Sequence, residues 1–470
     1  MEIPFGIRAN DTDSRAVSAE LALNCFVQTD KGGKKPFTVR GRPGIVTQVT
    51  LPTYPHRGHI EMGGALYAVY GQRLYRITRM SWDAGTYTTD LGAIPGVDRV
   101  IMAQNGAQVA IAANGTGYIA TSTTVAAITD ADFTGRGAVS GVDHLDGYFI
   151  WSVADSDIWF WSNLNDGTAY DPDDQLTAES ETDAIVRVMA DAGQIWLFGS
   201  QTTENWVNTG ATVPFERNTS ATLPEGATGK HTVVKLDNTV MWVNDDRIVQ
   251  KLDVRPLRIS THSVEKDLDA ITEEDALEAW GFIQGGHAFY VLSYANSWTW
   301  VYDAATGQWH KNQSGSSPNR WNASGTAVEP TKIFGKWIVG DPSSGKLGYL
   351  DAETYTEWGN TIIRRVRSQT VHRFPNNIMA TRLSLDFEMG VGLTTGQGSD
   401  PVVMFRYSDD GGRSWSNERQ VGIGAKGEYR TRVDINRLPF IRRNGRVFEI
   451  SISDPVPFVM IAADLNNGPS

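Results

Sequence analysis

The residues of this 470-residue sequence that could bind a cation are concentrated in one acidic region. Its members are six aspartates: Asp155, Asp157, Asp166, Asp171, Asp173 and Asp174. Clustered carboxylates are the ligands that hard cations such as Ca²⁺ take. Their spacing matches no EF-hand loop, however, and Pro172 interrupts the densest part. We therefore interpret the region as a solvated acidic loop, with a calcium site as the alternative.

The eight histidines have none of the spacings that are typical of zinc sites. His56 and His59 form the closest pair, and the neighbouring Pro55 and Gly58 favour a loop with two solvated histidines over a metal site. The sequence also contains no GxSxG elbow and no phosphate-binding Gly-Lys-Ser/Thr loop. It therefore predicts no catalytic residue, no cofactor and no metal.

The charge and the cysteine content restrict the class of protein further. Forty-two basic and 54 acidic residues give a net charge of −12, which argues against a general nucleic-acid binder. An acidic surface suits a soluble protein or the wall of a channel through which DNA must slide. Cys25 is the single cysteine, so no internal disulfide can form. The opening residues lack a secretory signal and no apolar run is long enough for a membrane span, so we expect folding in a cytoplasm.

The stretch Gly281 to Lys311 shows how the chain is built. HAFYVLS and WTWVYD are two aromatic and β-branched runs joined by a polar turn, the pattern of an antiparallel hairpin. A second turn leads to a short third strand at Gln308 to His310. A meander of this size cannot bury both faces alone, so it requires neighbours of the same kind.

The same layout recurs along the chain. Together with the stretch just described, seven units share it, the other six being 63–77, 106–121, 146–161, 191–206, 236–252 and 334–350. Their turns lie roughly 40 to 50 residues apart, which is the period of propeller blades. We therefore predict an all-β chain with an irregular β-propeller of six or seven blades over residues 52–357. A pair of packed β-sandwiches is the alternative.

The two ends of the chain differ from this pattern. Residues 1–51 are predicted to form a partly extended N-terminal arm, with a short helix over Ser14 to Phe26 and a strand over Pro36 to Ile45. Residues 358–470 contain at least five longer alternating strands, separated by Gly-containing turns. These strands predict a β-sandwich-like C-terminal domain.

Arginine is concentrated in this last domain. Two groups stand out: Arg364, Arg365 and Arg367 in one strand, and Arg437, Arg442, Arg443 and Arg446 around the Pro439-Phe440 turn. One interpretation is solvated strand edges, where charge discourages aggregation. The other is ion pairing with an acidic subunit or partner, and the candidate interface residues are then Arg364, Arg365, Arg367, Arg442 and Arg443. Direct DNA readout is disfavoured because a basic helix and an aromatic stacking platform are missing.

The segment Ser408 to Trp415, SDDGGRSW, resembles the Asp-box of sialidases, with Ser408, Asp410, Gly412 and Trp415 at its spacing. In that family the box is a hairpin turn and is not catalytic. The single copy here lies outside the predicted propeller, so we interpret it as a structural turn.

The alternative function for the chain is therefore a carbohydrate-binding or glycoside-hydrolysing, sialidase-like propeller. Its exposed tryptophans would stack on sugar rings, and the candidates are Trp298, Trp300 and Trp309. We favour the interpretation that these three side chains belong to the blade core.

A second resemblance covers most of the chain. It rests on the order of several segments: Asn24-Cys25-Phe26, Gly41 to Ile45, the hairpin Gly63 to Ile77, DGYFIWS and WFWSNL within Asp146 to Leu164, Gly193 to Trp206, Ala304 to Trp309, and Val447 to Ala462. This order resembles the packaged-DNA stabilisation proteins of short-tailed bacteriophages, the tail hub or nozzle family.

The resemblance implies a structural virion protein of the tail rather than an enzyme. Members of that family carry a β-propeller and form a ring, typically a homo-hexamer, below the portal and its head-to-tail adaptor. The ring continues the DNA channel, helps to retain packaged DNA and offers attachment sites for a tail needle or tailspikes. DNA would pass an acidic lumen without specific binding, because like charge repels its phosphates. Assembly in the cytoplasm of the bacterial host, without membrane insertion, is also implied.

Overall fold

The computed structural model describes residues 1–10, 18–29, 32–79, 86–180, 183–326 and 332–467 of the chain. Strands are the main secondary structure of the described residues taken together, which confirms the predicted all-β class. The first four strands are β1 (Leu21–Leu23), β2 (Cys25–Thr29), β3 (Phe37–Gly41) and β4 (Gly44–Thr50).

Seven blades of four strands each follow one another around a ring in the described part of the chain; five are separate sheets, and blades 6 and 7 belong to larger sheets. Consecutive strands form the first six, which we number blades 1 to 6. Blade 1 contains β5 (His56–Met62), β6 (Ala65–Tyr70), β7 (Arg73–Arg79) and β8 (Thr86–Ala93), and blade 2 contains β9 (Ile101–Gln104), β10 (Val109–Ala113), β11 (Thr116–Ala120) and β12 (Val125–Ala127). Blade 3 contains β13 (Val139–Leu145), β14 (Tyr148–Val153), β15 (Ile158–Trp161) and β16 (Gln175–Thr177), and blade 4 contains β17 (Ile185–Asp191), β18 (Gln194–Gly199), β19 (Thr203–Asn208) and β20 (Phe215–Arg217). Blade 5 contains β21 (Val234–Leu236), β22 (Thr239–Val243), β23 (Val249–Leu252) and β24 (Pro256–Arg258), and blade 6 contains β25 (Leu277–Gln284), β26 (His287–Tyr294), β27 (Trp298–Asp303) and β28 (Gln308–Lys311).

Blade 7 closes the ring with a strand from the beginning of the chain. It contains β29 (Lys332–Ile333), β30 (Lys336–Gly340), β31 (Lys346–Asp351) and the earlier strand β4. Strand β4 pairs antiparallel with β31, from Gly44 opposite Asp351 to Thr50 opposite Lys346. Two short strands, β32 (Thr356–Glu357) and β33 (Asn360–Thr361), extend this sheet outwards. The last blade is therefore complete only when β4, from the beginning of the chain, has paired with β31.

Buried side chains fill the space between every pair of neighbouring blades. Seven apolar clusters are each shared by two adjacent blades, and the one between blades 7 and 1 includes Ile338, Leu347 and Tyr70. Burial of apolar area at these seven contacts supplies the main driving force for folding. This closed series of contacts confirms the propeller and makes the alternative of two packed sandwiches wrong.

The remaining strands form the predicted β-sandwich. They are β34 (Arg364–Arg367), β35 (Ala380–Phe387), β36 (Val402–Ser408), β37 (Arg419–Gly422), β38 (Val433–Asn436), β39 (Val447–Ile452) and β40 (Val459–Asn467). One sheet has the order β2-β3-β40-β35-β38, and the other continues from blade 6 through β28-β1-β34-β39-β36-β37. An eighth apolar cluster, which includes Leu383, Phe405 and Ile450, lies between the two sheets.

The first 50 residues contribute strands to both parts of the fold. Strand β1 pairs with β28 of blade 6 on one side and with β34 of the sandwich on the other, so a single sheet crosses the junction. The helix predicted over Ser14 to Phe26 is wrong for its described part, because β1 and β2 occupy it, and Ser14 itself lies outside the described residues. The domain boundaries expected after residues 51 and 357 stay predictions.

Helical structure is limited to short connections between strands. The described elements are α1 (Ala131–Thr134), α2 (His262–Asp269) and two 3₁₀ helices, Thr219–Ala221 and Glu274–Ala276. Among the described residues, no helix has the length and apolar character needed to cross a membrane.

Candidate functional site

Charged side chains meet at the centre of the propeller. The guanidinium of Arg99, just before blade 2, contacts the Glu278 carboxylate in blade 6 and donates to the carbonyl oxygen of Gly325 at 2.8 Å. Arg320 contacts the same carboxylate. Because blades 2 and 6 are not neighbours, these contacts must pass through the middle of the ring. Buried polar groups therefore occupy the propeller axis.

Two further groups extend this axial network, which we define as Arg99, Arg187, His231, Glu278 and Arg320. Arg187 lies in the first strand of blade 4 and is fully buried, and its guanidinium nitrogens have no hydrogen-bond partner among the described residues. Burial lowers its pKa to about 10, although the nearby Asp143 carboxylate acts in the opposite direction. His231, before blade 5, is also buried, and burial holds its pKa well below the usual value.

The histidine pair predicted to lie in a solvated loop is buried instead. His56 and His59 belong to the first strand of blade 1, and each is 3% exposed. His56 Nε2 lies 3.0 Å from His59 Nδ1, and the pair faces the charge of Arg99. Burial is the largest cause of the low pKa of His59, which falls to about 3. The loop interpretation was wrong because the inner strand of a blade is covered on both faces.

A second buried network lies at the junction of the propeller and the sandwich. Asn24 accepts a hydrogen bond from Arg42 Nε at 2.8 Å and donates to the Ile363 carbonyl oxygen at 2.8 Å. Arg42 pairs with Glu357, which also accepts from the Trp321 indole N–H at 3.1 Å. The segments Asn24-Cys25-Phe26 and Gly41 to Ile45, which carry part of the family resemblance, thus flank this junction.

The structure separates the five arginines predicted as an interface. Arg364 is fully buried, with its guanidinium 5.7 Å from the centre of the Tyr355 ring. Arg365 and Arg367 both pair with the buried Glu449, at 3.4 and 2.7 Å. These three arginines therefore make contacts within their own chain, and Arg364 in particular cannot meet a partner on the surface. Arg364 lies on the buried face of its strand, whereas Arg365 and Arg367 lie on the other face and are about a quarter exposed.

Arg442 and Arg443 remain exposed, as the interface prediction requires. They lie in the loop before β39, next to exposed Phe440. Phe374, in a neighbouring turn of the sandwich, is 74% exposed. The role of these two arginines at an interface stays a prediction.

The segment that resembles an Asp-box forms the predicted turn. The Asp410 carboxylate accepts from the backbone N–H groups of Arg413 and Ser414, each at 2.9 Å, and the Ser408 hydroxyl oxygen accepts from Gly412 N–H at 2.7 Å. A hydrogen bond from the Ser414 hydroxyl to the Asp410 carboxylate, together with these backbone bonds, holds the pKa of Asp410 well below its usual range. Both carboxylate oxygens of Asp410 accept hydrogen bonds from within the turn, so the motif organises the loop between β36 and β37.

The six aspartates of the acidic region lie in two turns of blade 3, two between β14 and β15 and four between β15 and β16. Asp155, Asp171 and Asp173 are exposed, and the other three are half-buried. Arg136 donates to the carbonyl oxygens of Asp171 and Pro172, at 2.7 and 3.1 Å, and its guanidinium lies over the Phe160 ring. Within the described ranges, no group of three or more His, Cys, Asp or Glu side chains is arranged to hold a metal ion.

Two of the three candidate sugar-binding tryptophans are core residues. Trp300 and Trp309 are at most 1% exposed, and both indole N–H groups donate within the chain, to Asp267 and to the Ile259 carbonyl oxygen. Trp298 is partly buried against the same cluster. Buried rings of this kind cannot stack on a sugar, which weakens the carbohydrate alternative.

Sequence reasoning missed the axial network entirely. The one available signal is the scarcity of basic residues: residues 101–216 contain two, Arg136 and Arg187. A lone arginine inside an otherwise apolar strand indicates a buried partner or role. The partners themselves come from other blades and cannot be seen in a local pattern.

Fold and surface together define a class of protein. It has a seven-bladed propeller that shares a sheet with a β-sandwich, and its own side chains occupy the propeller axis. The chain belongs to the family of the phage P22 protein Gp10. The family's propeller description, "Bacteriophage P22 Gp10, beta-propeller", matches residues 1–355, and its "beta-sandwich" description matches residues 364–467.

A relative from Salmonella phage P22 is similar over the greater part of the chain. It is named "Tail hub protein gp10", is 23% identical over 406 residues, and the match covers 81% of this chain and 80% of the relative. The family resemblance stated from the sequence is thereby confirmed.

Solved propeller structures are similar only at a low level. The Myceliophteria thermophila Cps50 (Swd1) β-propeller domain has a TM-score of 0.42 at 9% identity and covers 65% of this chain and 99% of its own. The N-terminal domain of Nup159 has a TM-score of 0.38 at 11% identity and covers 70% of this chain and 98% of its own. We draw no inference from either.

Proposed function

We propose that this chain is a tail hub, or nozzle, of a short-tailed bacteriophage. Copies of it would form a ring, with six as the expected number, below the portal and adaptor. The ring would continue the DNA channel, help to retain the packaged genome and bind other tail proteins. No chemical step is involved, so the chain would not be an enzyme.

The observation that carries the proposal is the relationship to the P22 tail hub protein across both parts of the fold. The propeller and the sandwich are matched separately, in the same order, and the relative is matched over most of its own length. A role taken over from a relative is better supported when every structural part of the chain has its counterpart.

The filled propeller axis supports a ring in which DNA passes between copies. Arg99, Glu278 and Arg320 meet at the centre of the blades and leave no passage for a duplex within a single chain. A conduit for DNA then requires several copies arranged around it. Their net charge would repel phosphate, so that DNA moves without being bound.

Removal of this protein from the phage that encodes it tests the proposal. Particles assembled without it should lose packaged DNA, so the fraction of genome protected from added DNase falls severalfold. Purified wild-type protein, added back, should restore that fraction and appear in electron micrographs between the portal and the end of the tail. Particles that keep both their DNA and their infectivity without the protein would overturn the proposal.

A further inference from the structure

Two loops lie side by side at one end of the sandwich. The turn at residues 371–378 and the segment 437–446 are joined by isolated bridges between Val371 and Arg446 and between Ile378 and Ile441. The Arg443 N–H also donates to Asn377 Oδ1 at 3.0 Å. We call residues 372–379 and 437–443 the basic end. Their backbone positions are fixed by these contacts, so the surface is preformed.

The basic end exposes aromatic rings among arginines. Phe374 is 74% and Phe440 61% exposed. Four exposed arginines accompany them: Arg373, Arg437, Arg442 and Arg443. Neither loop contains an Asp or Glu, and none of the four pairs with a carboxylate within the described residues. Exposed aromatic rings together with arginine are the composition of protein–protein interfaces.

The charge of the two parts of the chain is opposite. Residues 358–470 contain 15 basic and 11 acidic residues, a net charge of +4. The other 27 basic and 43 acidic residues leave residues 1–357 at −16. An acidic partner for the basic end is thus available on the propeller of a second copy of the same chain.

The exposed acidic loop of blade 3, residues 163–174 between β15 and β16, is suitably placed. Asp171 and Asp173 are exposed there, and Leu164, near the start of the same loop, is 58% exposed. The loop leads to the last strand of its blade, on the outer side of the ring. The sandwich continues outwards from blade 6, whose last strand pairs with β1. Blade 3 is three blades away from blade 6 in the ring, so it faces the opposite side of the propeller.

We propose that the basic end binds the acidic loop of blade 3 in a neighbouring copy. This rests on the proposed function, of which it names the subunit contact. Because the two surfaces differ and lie on opposite sides of the chain, each copy uses one surface on either neighbour, and such head-to-tail contacts generate a ring when the rotation closes. Arg442 and Arg443 pair with Asp171 and Asp173, and the exposed phenylalanines cover Leu164.

Charge reversal on each side, followed by recombination, tests this contact. The variants R442E/R443E and D171R/D173R should each shift the sedimentation of the purified full chain from ring to monomer, with association at least tenfold weaker. An equimolar mixture of wild type and either variant should also contain fewer complete rings than wild type alone. The fourfold variant R442E/R443E/D171R/D173R restores opposite charge at every contact, so ring formation should return.

The variant R430E/R432E is the matched control. Arg430 and Arg432 are exposed in the same domain but precede β38, whereas Arg442 and Arg443 follow it. The same charge change there should leave the ring intact. Thermal unfolding checks that every variant folds, and sedimentation of unaltered wild type in rising NaCl provides a measurement without substitution. Salt should weaken the wild-type ring, since it screens exposed charges.

The outcomes separate this contact from the tail hub function. A ring that persists in R442E/R443E, a fourfold variant that stays monomeric, or a ring that is insensitive to salt overturns the docking proposal and leaves the hub proposal standing. If the R442E/R443E variant still forms a ring but is absent from tails, the basic end binds another virion protein, and the docking proposal is overturned. A wild-type chain that is monomeric at every concentration overturns the contact, and its absence from phage tails overturns the hub.

Discussion

Arg99, which precedes blade 2, contacts Glu278 in blade 6, 179 residues further along the chain. Arg320 contacts the same carboxylate, so one buried anion lies between two buried cations. Burial lowers the pKa of Arg99 to about 10 and that of Arg320 to about 9. A carboxylate in this position compensates part of the desolvation cost of both guanidinium groups, and it connects parts of the propeller that are not neighbours in the ring.

Substitution of this carboxylate by an amide should destabilise the whole propeller. E278Q keeps the shape of the side chain but leaves two buried cations without a counter-charge, so we expect the free energy of unfolding to fall by about 3–5 kcal/mol. Urea unfolding measures it. The exposed Glu216, changed to Gln, is the control and should stay within about 0.5 kcal/mol of wild type. Equal stability of E278Q and wild type would show that the contact is not structural.

Stability should depend on pH through buried histidines. Burial lowers the pKa of His59 to about 3 and of His310 to about 4, and also lowers the pKa of His56 and His231, from an ordinary value of 6.5. Below pH 6.5 the unfolded chain binds protons that the folded chain does not. The stability is therefore complete above about pH 6.5 and falls towards pH 4, by up to about 1.4 kcal/mol per pH unit for each histidine.

Urea unfolding at pH 7.5, 6.0 and 5.0 measures this slope. Burial raises the pKa of Glu20, and this acts in the opposite direction, since protonation there favours the folded chain. The H59Q variant should lower the pH dependence of the free energy of unfolding by about the contribution of one histidine, whatever its effect on stability at pH 7.5. A free energy of unfolding that is constant between pH 7.5 and 5.0 would contradict burial of the neutral rings.

A methyl group at Gly348 should open the closing sheet of blade 7. An added Cβ would overlap the Val46 carbonyl oxygen and lie 2.8 Å from the Trp358 ring, so strands β4 and β31 must separate. For G348A we expect a loss of about 1–3 kcal/mol. Hydrogen exchange should become faster in β4 than in the sandwich strands. The control is G422A, where the nearest atom lies 4.0 Å from the added group.

Cys25 should be inert to thiol reagents while the chain is folded. The side chain is fully buried between the sandwich sheets, and burial raises the pKa of the thiol to about 12. The reactive thiolate is then almost absent. Labelling with a disulfide reagent should be orders of magnitude slower in buffer than in urea, and because the sequence has one cysteine the signal reports on this site alone. Fast labelling of folded protein would contradict the burial.

The blades were predictable from sequence because each one is made of neighbouring strands. Short aromatic runs with a turn between them identified all seven, from Gly63 in blade 1 to Leu350 in blade 7. The same local pattern could not assign β4 to blade 7, because its partner β31 lies almost 300 residues away.

Side-chain roles were harder to predict than strands. Arg364 and Arg442 are the same residue type in the same domain, yet one is buried beneath Tyr355 and the other is exposed. His56 and His59 follow a proline and flank a glycine, which indicates a loop, but the ring places their strand at its centre. Burial of this kind is decided by which blades come together, and no single segment contains that information.

The pairing of β4 with β31 also sets an order of events during synthesis. The ribosome releases Gly44 to Thr50 long before Lys346 to Asp351 exists, so the partner of β4 is missing while six blades emerge. Until β31 has been made, β4 stays unpaired and the side of blade 1 that faces blade 7 stays uncovered. Contacts between strands so distant in sequence form slowly. A nascent chain therefore has no complete propeller with which to bind neighbouring chains, and the connectivity of the fold disfavours premature assembly on the polysome.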